Sequence, residues 1–289
     1  MKPIGANQWK AIASRAGAVP IGDGLRKILI CPDDDAPLDY LEQLQQFVCP
    51  GCARIYKEED GVLSILPSSD PYRLSDSERA ELERRGPKPP RAEEDPVWQQ
   101  CLSVLGPAKG RQLLDLCCGS GWAAERFASL GFNVTATDIA IPPAPKSPFP
   151  PYIQSDVCRL PFASESFDVV FVSAALHEMK RPERMAKEIG RILKRDAVLL
   201  NIGEPFSLHS ESGRCLTAAD YAGIYREGGI DIRAVFPGDP IAPRKGFVQQ
   251  IRERLRANSS DAERILVGKI TPDFQLPSLR WRKRDPADG

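Results

Sequence analysis

The stretch that most constrains the fold lies at residues 111–122, which read RQLLDLCCGSGW. Its leucines are apolar on both faces of a strand, as a strand covered on two sides requires. Gly119 and Gly121 then permit a sharp turn and a close approach of the backbone to a ligand, and a helix-forming composition follows. This order of strand, glycine turn and helix predicts a cofactor-binding loop in an α/β domain.

One acidic residue, Asp115, interrupts the strand near its carboxyl end and separates two classes of cofactor. The spacing from Gly119 to Ala124 also fits the G-x-G-x-x-A fingerprint of dinucleotide-binding proteins. A carboxylate just before the glycines would repel a pyrophosphate, whereas it suits the positively charged aminopropyl end and sulfonium of S-adenosylmethionine. The charge of Asp115 therefore favours S-adenosylmethionine over NAD.

The same stretch resembles the first motif, D/E-h-G-x-G-x-G, of the class I S-adenosylmethionine-dependent methyltransferases, through Asp115, Gly119 and Gly121. Cys117 stands where the family has its first glycine, a departure that matters little if Cys117 adopts ordinary strand geometry. The resemblance implies a backbone contact from Cys117 to the amino acid part of the cofactor. We consider its thiol a poor candidate for a nucleophile.

Two later motifs are in register with the first. Residues 132–138 read as a second strand ending in Asp138, about 20 residues after the glycine turn, where a carboxylate can accept both ribose hydroxyls of an adenosine cofactor. Residues 152–162 read as a third strand and resemble the family's D-x-x-x-L-P-F motif. That resemblance implies contacts to adenine from the side chain of Asp156 and the backbone amide of Val157.

Strands and helices alternate through this part of the chain, which indicates a Rossmann-like α/β fold with a seven-stranded methyltransferase sheet over residues 97–289. Residues 166–173 and 197–202 read as buried strands, and residues 181–194 as an amphipathic helix between them. Within this helix, residues 188–194 resemble the family's E-h-x-R-h-L-K-P-G-G run. The remaining predicted elements are helices at 98–105, 217–227 and 246–257 and strands at 230–236 and 262–270.

Residues 139–151 contain too many prolines to be helical, so an extended loop replaces the helix that the family usually has here. The loop either forms part of the cofactor or substrate wall or crosses the edge of the sheet. The resemblance implies that Ile139, at its start, and Ser173, at the end of the fourth strand, also contact the cofactor.

The loop after the fourth strand faces the transferred methyl group in this family, and here it contains His177, one of two histidines in the chain. His177 is a candidate base or substrate-orienting group. In the alternative interpretation it caps the following helix or lines the pocket without proton transfer, and His209 is a weaker candidate. The loop lacks the D/N-P-P-Y/F signature of enzymes that methylate exocyclic base nitrogens or glutamine amides.

A second motif lies in the N-terminal segment. Cys49 and Cys52 have the C-x-x-C spacing that wraps a tetrahedral zinc, and Cys31 is placed to add another ligand. The segment resembles zinc-ribbon modules of the pattern C-P-x-C-x-x-P-L followed by C-x-x-C, which occur beside, or as activators of, methyltransferases. Asp34 occupies the position of the second cysteine, which implies either a site of three thiolates and one carboxylate or a lost metal site.

The alternative for this segment is a metal-free β-ribbon that packs on the larger domain, and in either case we expect a structural role. The proposed ribbon core is Leu38, Phe47, Ile55, Val62 and Leu66. We divide the chain into an N-terminal segment at 1–67, with the ribbon-like module at 27–67, a linker at 68–96 rich in Ser, Pro, Arg and Glu, and the methyltransferase domain at 97–289.

Composition limits the remaining possibilities. The 289 residues are 42% hydrophobic, and 39 basic residues balance 39 acidic ones, so the whole chain is not an electrostatic match for nucleic acid. No apolar run approaches the roughly 20 residues that span a bilayer, and no signal peptide is visible, so we expect a cytoplasmic protein without a membrane partner. Eight irregularly spaced cysteines suggest reduced thiols or metal ligands.

These observations favour an S-adenosylmethionine-dependent methyltransferase that acts on a small molecule by direct displacement. One alternative is an RNA or translation-factor methyltransferase whose ribbon engages the substrate, with basic residues at 244–256 and 280–284 that could hold RNA. Another is a non-catalytic scaffold that binds the cofactor. An NAD-dependent dehydrogenase is the least favoured.

Overall fold

The computed structural model describes most of the two predicted domains. The described residues are 21–59, 61–68, 92–140, 150–204, 217–236 and 264–270, with the isolated positions 75, 77 and 80. Several predictions lie outside these residues. They are the helix at 246–257, most of the linker and of the proline-rich loop, His209, and the basic segments 244–256 and 280–284.

The described residues form eleven strands, five α-helices and one turn of 3₁₀-helix. The strands are β1 (Asp39–Leu41), β2 (Gln46–Val48), β3 (Ile55–Glu59), β4 (Val62–Ser64), β5 (Gln112–Leu116), β6 (Asn133–Asp138), β7 (Tyr152–Gln154), β8 (Phe167–Ser173), β9 (Leu193–Glu204), β10 (Ile230–Phe236) and β11 (Arg264–Ile270). The helices are α1 (Asp23–Arg26), α2 (Pro96–Leu105), α3 (Trp122–Ser129), α4 (Pro182–Ile192) and α5 (Ala218–Glu227), and the 3₁₀ turn is Leu176–Glu178.

The strands form one sheet in the order β1-β2-β3-β4-β7-β6-β5-β8-β9-β11-β10. Strands β7, β6, β5, β8 and β9 are parallel, and β11 and β10 complete this part of the sheet in antiparallel pairs. The Rossmann-like α/β fold class is therefore confirmed. One predicted boundary is wrong: Leu193 and Lys194 belong to β9 and not to the preceding helix, because Leu193 pairs with Phe167 in β8.

The N-terminal ribbon is continuous with the main sheet. Its last strand, β4, pairs in parallel with β7, from Val62 opposite Tyr152 to Ser64 opposite Gln154. The hydroxyl of Ser64 also donates to the side-chain oxygen of Gln154 across 2.9 Å. The seven predicted strands of the main sheet are all present, and the four strands of the ribbon extend the sheet to eleven along the edge that β7 would otherwise leave unpaired.

The predicted core of the ribbon is only partly right. Leu38 and Phe47 are buried, but Ile55 is 54% exposed. In β4 and just after it, Leu63 and Ile65 are buried, whereas the predicted core residues Val62 and Leu66 are only partly buried. Since side chains alternate along a strand, the pairing of β4 with β7 decides which alternate set faces the core.

Helices cover the two faces of the parallel sheet. On one face, α4 and α5 pack with the ribbon against strand residues such as Leu114. On the other, α2 and α3 pack against the alternate residues, such as Leu113, around an aromatic cluster of Trp98, Phe127 and Phe171. The core therefore lies in two layers, one on each side of the central strands.

Local sequence explains where these helices begin. The carboxylate of Asp95 accepts from the amides of Val97 and Trp98, and Pro96 occupies the first turn of α2. At α5, Thr217 and Asp220 form a reciprocal capping box. Across the described part of the chain, every helix is too short or too polar to cross a bilayer.

Candidate functional site

The carboxyl ends of the parallel strands place a row of polar side chains along one edge of the sheet. Asp115 is the penultimate residue of β5, Asp138 ends β6, Ser173 ends β8 and Glu204 ends β9, while Asp156 follows β7 by two residues. In open α/β sheets, ligands bind outside this edge. The structure thus brings the predicted cofactor-binding residues to one side of the sheet.

The glycine turn between β5 and α3 has three residues in the left-handed region of backbone space. They are Cys117 at φ 58°, Gly119 at φ 53° and Gly121 at φ 73°. Cys117 therefore lacks the ordinary strand geometry under which its replacement of the family's first glycine would matter little. The β5 ladder ends one residue earlier, at Leu116, and the turn requires the left-handed conformation that costs a residue with a Cβ about 1–2 kcal/mol.

One contact explains why the turn needs a glycine at position 121, and a second ties the turn to β6. A Cβ on Gly121 would overlap the hydroxyl of Tyr152, whose ring is buried beneath the turn. The amide of Gly119 donates to the carboxylate of Asp138 across 2.9 Å. The turn is therefore held against β6 and β7, the strands that follow it in the chain.

Asp115 lies beneath the turn and is 2% exposed. Its carboxylate accepts from the amide of Ala124, in the first turn of α3, across 2.9 Å. Burial raises the pKa of Asp115 to about 8, and the Ala124 hydrogen bond and the nearby charge of Asp138 are smaller effects. In the described residues no cation acts on Asp115, so its carboxyl group is mostly protonated near neutral pH, and the positive charge of a sulfonium or an ammonium group would favour its ionised form.

Asp138 connects the glycine turn to the chain that follows β6. One carboxylate oxygen accepts from the amide of Gly119, and the other accepts from the amide of Ala140 across 3.1 Å. Burial raises the pKa of Asp138, and hydrogen bonds from backbone amides, including that of Ile139, oppose the shift. A carboxylate has about four acceptor positions and three amides donate to this one, so Asp138 retains capacity for a ribose hydroxyl.

The segment after β7 is held by a buried ion pair from α4. Glu188 accepts from the amide of Leu160 across 2.7 Å and from the guanidinium of Arg191, which also donates to the carbonyl oxygens of Leu160 and Phe162. Asp156 accepts from the amide of Cys158 across 2.8 Å, and Val157 is buried. The E-h-x-R run thus fixes the loop that carries Asp156 and Val157.

His177 lies in the 3₁₀ turn after β8, and its side chain is 15% exposed. Its Nδ1 atom lies 2.7 Å from Glu204 Oε2, and its Nε2 atom lies 3.6 Å from Glu178 Oε1. Glu204 also accepts from three backbone amides of this turn. Helix α4, which follows, begins without a side-chain cap, so His177 does not cap it, and the alternative that His177 lines the pocket without proton transfer stays open.

Electrostatic interactions link these groups into one cluster. Asp115 interacts with Asp138, Asp138 interacts with Glu178, and the pKa of the Cys117 thiol is raised first by burial and then by Asp138, Asp115 and Glu204. A raised thiol pKa is consistent with the prediction that Cys117 is a poor nucleophile. Glu204 was missed by sequence reasoning, although its position as a carboxylate ending the apolar run of β9 was visible.

A second cluster lies in the ribbon, where Cys31, Asp34, Cys49 and Cys52 place one ligand atom each within 4.8 Å of one another. The sulfur atoms of Cys31 and Cys52 are 3.6 Å apart, and Cys49 Sγ lies 3.3 Å from both carboxylate oxygens of Asp34. These spacings are close to the roughly 3.8 Å edge of a zinc tetrathiolate tetrahedron with bonds of about 2.3 Å. The structure therefore brings together the four predicted metal ligands.

Comparison with known proteins gives a family match for the central segment of the chain. Residues 114–201 match the family model described as a methyltransferase domain. A demethylmenaquinone methyltransferase from Renibacterium salmoninarum is 29% identical over 34% of this chain and 43% of its own length. An uncharacterized methyltransferase from Synechocystis is 33% identical over 35% of this chain and 50% of its own. The chain thus spans at most about half the length of these relatives.

One similar solved structure is a SAM-dependent methyltransferase from Aquifex aeolicus. It is 16% identical, with a TM-score of 0.49, over 67% of this chain and 98% of its own.

Proposed function

We propose, from the match of residues 114–201 to the methyltransferase-domain family, that the protein transfers a methyl group from S-adenosylmethionine to a small molecule. The observation that carries the proposal is the buried carboxylate of Asp115 beneath a left-handed glycine turn, with Asp138 one strand away. This edge offers negative charge to a cationic cofactor and acceptors to a ribose, and a pyrophosphate would meet repulsion there.

The residues present fit S-adenosylmethionine. We infer that Asp115 balances the positive charge of the cofactor, that Asp138 accepts from a ribose hydroxyl, and that the side chain of Asp156 and the amide of Val157 contact its adenine. Ile139, Ser173 and the backbone of the glycine turn would line the remainder of the site. The cofactor supplies a methyl group on a positively charged sulfur, which leaves as a neutral thioether.

The protein's own contribution is then mostly positional. Methyl transfer is a direct displacement, so the site must align the acceptor with the methyl group and exclude competing water. A base is needed only when the acceptor atom carries a proton, and we assign that role to His177. Its turn follows β8, the strand next to β5 and its glycine turn.

We propose a small molecule as the acceptor because a relative of the central segment is a demethylmenaquinone methyltransferase. The name of that enzyme makes demethylmenaquinone the class of acceptor to test first. An RNA acceptor is the alternative outcome. Methyl-labelled S-adenosylmethionine incubated with demethylmenaquinol and, separately, with total RNA distinguishes the two: label in the organic extract supports the proposal, and label in precipitated RNA contradicts it.

Calorimetric titration of the purified protein with S-adenosylmethionine, S-adenosylhomocysteine and NAD tests the cofactor. We expect the first two to bind and NAD not to bind. Asp138→Ala should weaken binding by about tenfold to a hundredfold, since a hydrogen bond to a charged group contributes roughly 1.5–3 kcal/mol. Asp168→Ala is the matched control, because Asp168 lies at the opposite edge of the sheet, paired with Lys194 and the amide of Gln112. Binding of NAD alone, or of none of the three, would contradict the proposal.

We also propose that the ribbon cluster holds a structural zinc ion. A Cβ on Gly51 would overlap the carboxylate of Asp34, so this glycine leaves room for the fourth ligand. The hydroxyl of Tyr56 lies 3.1 Å from Cys31 Sγ, a contact that orients a metal-bound thiolate. Elemental analysis should find about one zinc per chain, much reduced in Cys52→Ser; a full complement of zinc in that variant would contradict the proposal.

A further inference from the structure

Glu204 directs its carboxylate at the turn that carries His177. Oε1 accepts from the amides of Ala175, across 3.1 Å, and Leu176, across 2.9 Å. Oε2 accepts from the amide of His177 across 3.1 Å and lies 2.7 Å from Nδ1 of the same residue. The Glu204 side chain has no exposure to solvent. One buried carboxylate thus fixes both the backbone of the turn and the histidine ring.

These contacts select one tautomer of His177. Three amides donate to Glu204, which favours its ionised, acceptor-only form, and with that form the short contact to Nδ1 is a hydrogen bond only if Nδ1 carries the proton. In the neutral imidazole the lone pair is then on Nε2. Glu178 Oε1 lies 3.6 Å from Nε2, a distance longer than a hydrogen bond. Glu178 therefore leaves the Nε2 lone pair available.

The backbone before the turn is held in an unfavourable conformation. Ala174 has φ 52°, a left-handed geometry that costs a residue with a side chain about 1–2 kcal/mol. Its amide donates to the carbonyl oxygen of Ile202 in β9 across 2.7 Å. Such strain persists only where surrounding contacts impose it. Two residues of strand β9, Ile202 and Glu204, therefore fix the position of the turn.

We propose that Glu204 is a positioning residue that holds His177 in the Nδ1–H tautomer, with Nε2 as the atom that takes a proton from the methyl acceptor. The inference rests on the proposed methyl transfer. As the acceptor's O–H, N–H or S–H proton moves to Nε2, the electron pair that it leaves forms the bond to the methyl carbon, directly or through a conjugated ring carbon. The pair of the broken carbon–sulfur bond stays on sulfur, and the imidazolium later returns its proton to water.

The ring nitrogens report the tautomer directly. We would record a two-bond ¹H–¹⁵N correlation spectrum of the ¹⁵N-labelled full chain at about pH 8, where an ordinary imidazole is neutral. The chain has only two histidines, and His209→Asn assigns them. We expect a pyrrole-type Nδ1 and a pyridine-type Nε2 for His177. A protonated Nε2 in the unmodified protein would overturn the proposal without any variant.

Two substitutions separate positioning from general stability. Glu204→Gln offers one acceptor oxygen where the native side chain uses two, so the selection of the Nδ1–H form should be lost. The ¹⁵N chemical shifts of the two ring nitrogens should then move toward a common average. Glu178→Gln, which changes the carboxylate near Nε2, should leave the tautomer unchanged. An unaltered tautomer in folded Glu204→Gln protein contradicts the proposal.

Turnover gives the functional readout. With demethylmenaquinol as acceptor, Glu204→Gln should lower kcat by about tenfold or more with little change in KM, as loss of an oriented base predicts. A change confined to KM would overturn the proposal. Failure of the calorimetric titration would instead reject the cofactor and leave the tautomer assignment standing.

Discussion

The amide of Ile30, next to the ribbon cysteine Cys31, donates to the carbonyl oxygen of Pro161 across 3.0 Å. A second hydrogen bond joins the amide of Ala163 to the carbonyl oxygen of Ile28 across 2.7 Å. The ribbon therefore pairs with the end of the loop that begins at Asp156. A change in the order of the ribbon should be transmitted to the adenine side of the proposed cofactor site.

We therefore expect Cys52→Ser to weaken S-adenosylmethionine binding several-fold, although Cys52 lies outside the cofactor site. The physical reason is that a loosened ribbon leaves the loop through residue 163 less ordered before the cofactor binds, and that ordering then costs binding free energy. Calorimetry measures the effect. Asp39→Asn, an exposed change in β1 outside the metal cluster, should have no effect. Equal affinities for all three proteins would show that the ribbon and the loop are uncoupled.

Asp115 should make stability depend on pH. Its pKa is near the ordinary 3.8 in the unfolded chain and is raised by burial to about 8 in the folded protein. The folded state therefore binds more protons between these values, and the free energy of unfolding falls as pH rises through this window. The gap of about four pKa units limits this contribution to roughly 5 kcal/mol.

Urea denaturation at about pH 5 and about pH 8 tests this expectation. The unmodified protein should lose more stability between the two values than Asp115→Asn, whose side chain does not titrate. Parallel losses in the two proteins would mean that Asp115 is ionised at little cost in the folded state.

Gly121→Ala should destabilise the fold by about 2–4 kcal/mol. The new Cβ would overlap the Tyr152 hydroxyl and would also occupy a left-handed backbone position. Tyr152→Leu should recover part of the loss, measured by thermal denaturation of the single and double variants. Gly223→Ala is the matched control, because that helical glycine has open space around it and alanine is the better helix former by up to about 1 kcal/mol. Equal effects of the two glycine changes would contradict the expected clash.

Arg191→Leu should cost about 3–5 kcal/mol, since it leaves Glu188 as a buried charge without its partner and releases the carbonyl oxygens of Leu160 and Phe162. Urea denaturation gives the magnitude. Arg195→Leu, an exposed change at the start of β9, should stay within about 0.5 kcal/mol. A loss for Arg191→Leu no larger than for Arg195→Leu would show that the buried ion pair adds nothing to stability.

The parallel part of the sheet could be predicted because its signals are local. The apolar run of β8 and the glycine turn after β5 each specify their own geometry over fewer than a dozen residues. Asp115 and Asp138 could be placed at the sheet edge for the same reason, since each lies within one residue of the end of a recognisable strand. Their role toward a cofactor stays a prediction until binding is measured.

What could not be predicted depends on contacts between distant segments. Glu204 meets His177, 27 residues earlier in the chain, only because β8 and β9 pair in parallel. The burial of Leu63 in place of its neighbours follows from the pairing of β4 with β7. The left-handed backbone of Cys117 is set by the turn that β5 and α3 make together, and a cysteine has no intrinsic preference that reveals it.

The pairing of β4 with β7 also bears on the order of folding. Ser64 and Gln154, which meet in that pair, are 90 residues apart in the chain. During synthesis the ribbon emerges with the edge of β4 unpaired, and such an edge is a template for unwanted association until its partner arrives. Pairing between segments so far apart in the chain is intrinsically slow. We therefore expect the ribbon strands, although they leave the ribosome early, to join the sheet after its central strands have paired.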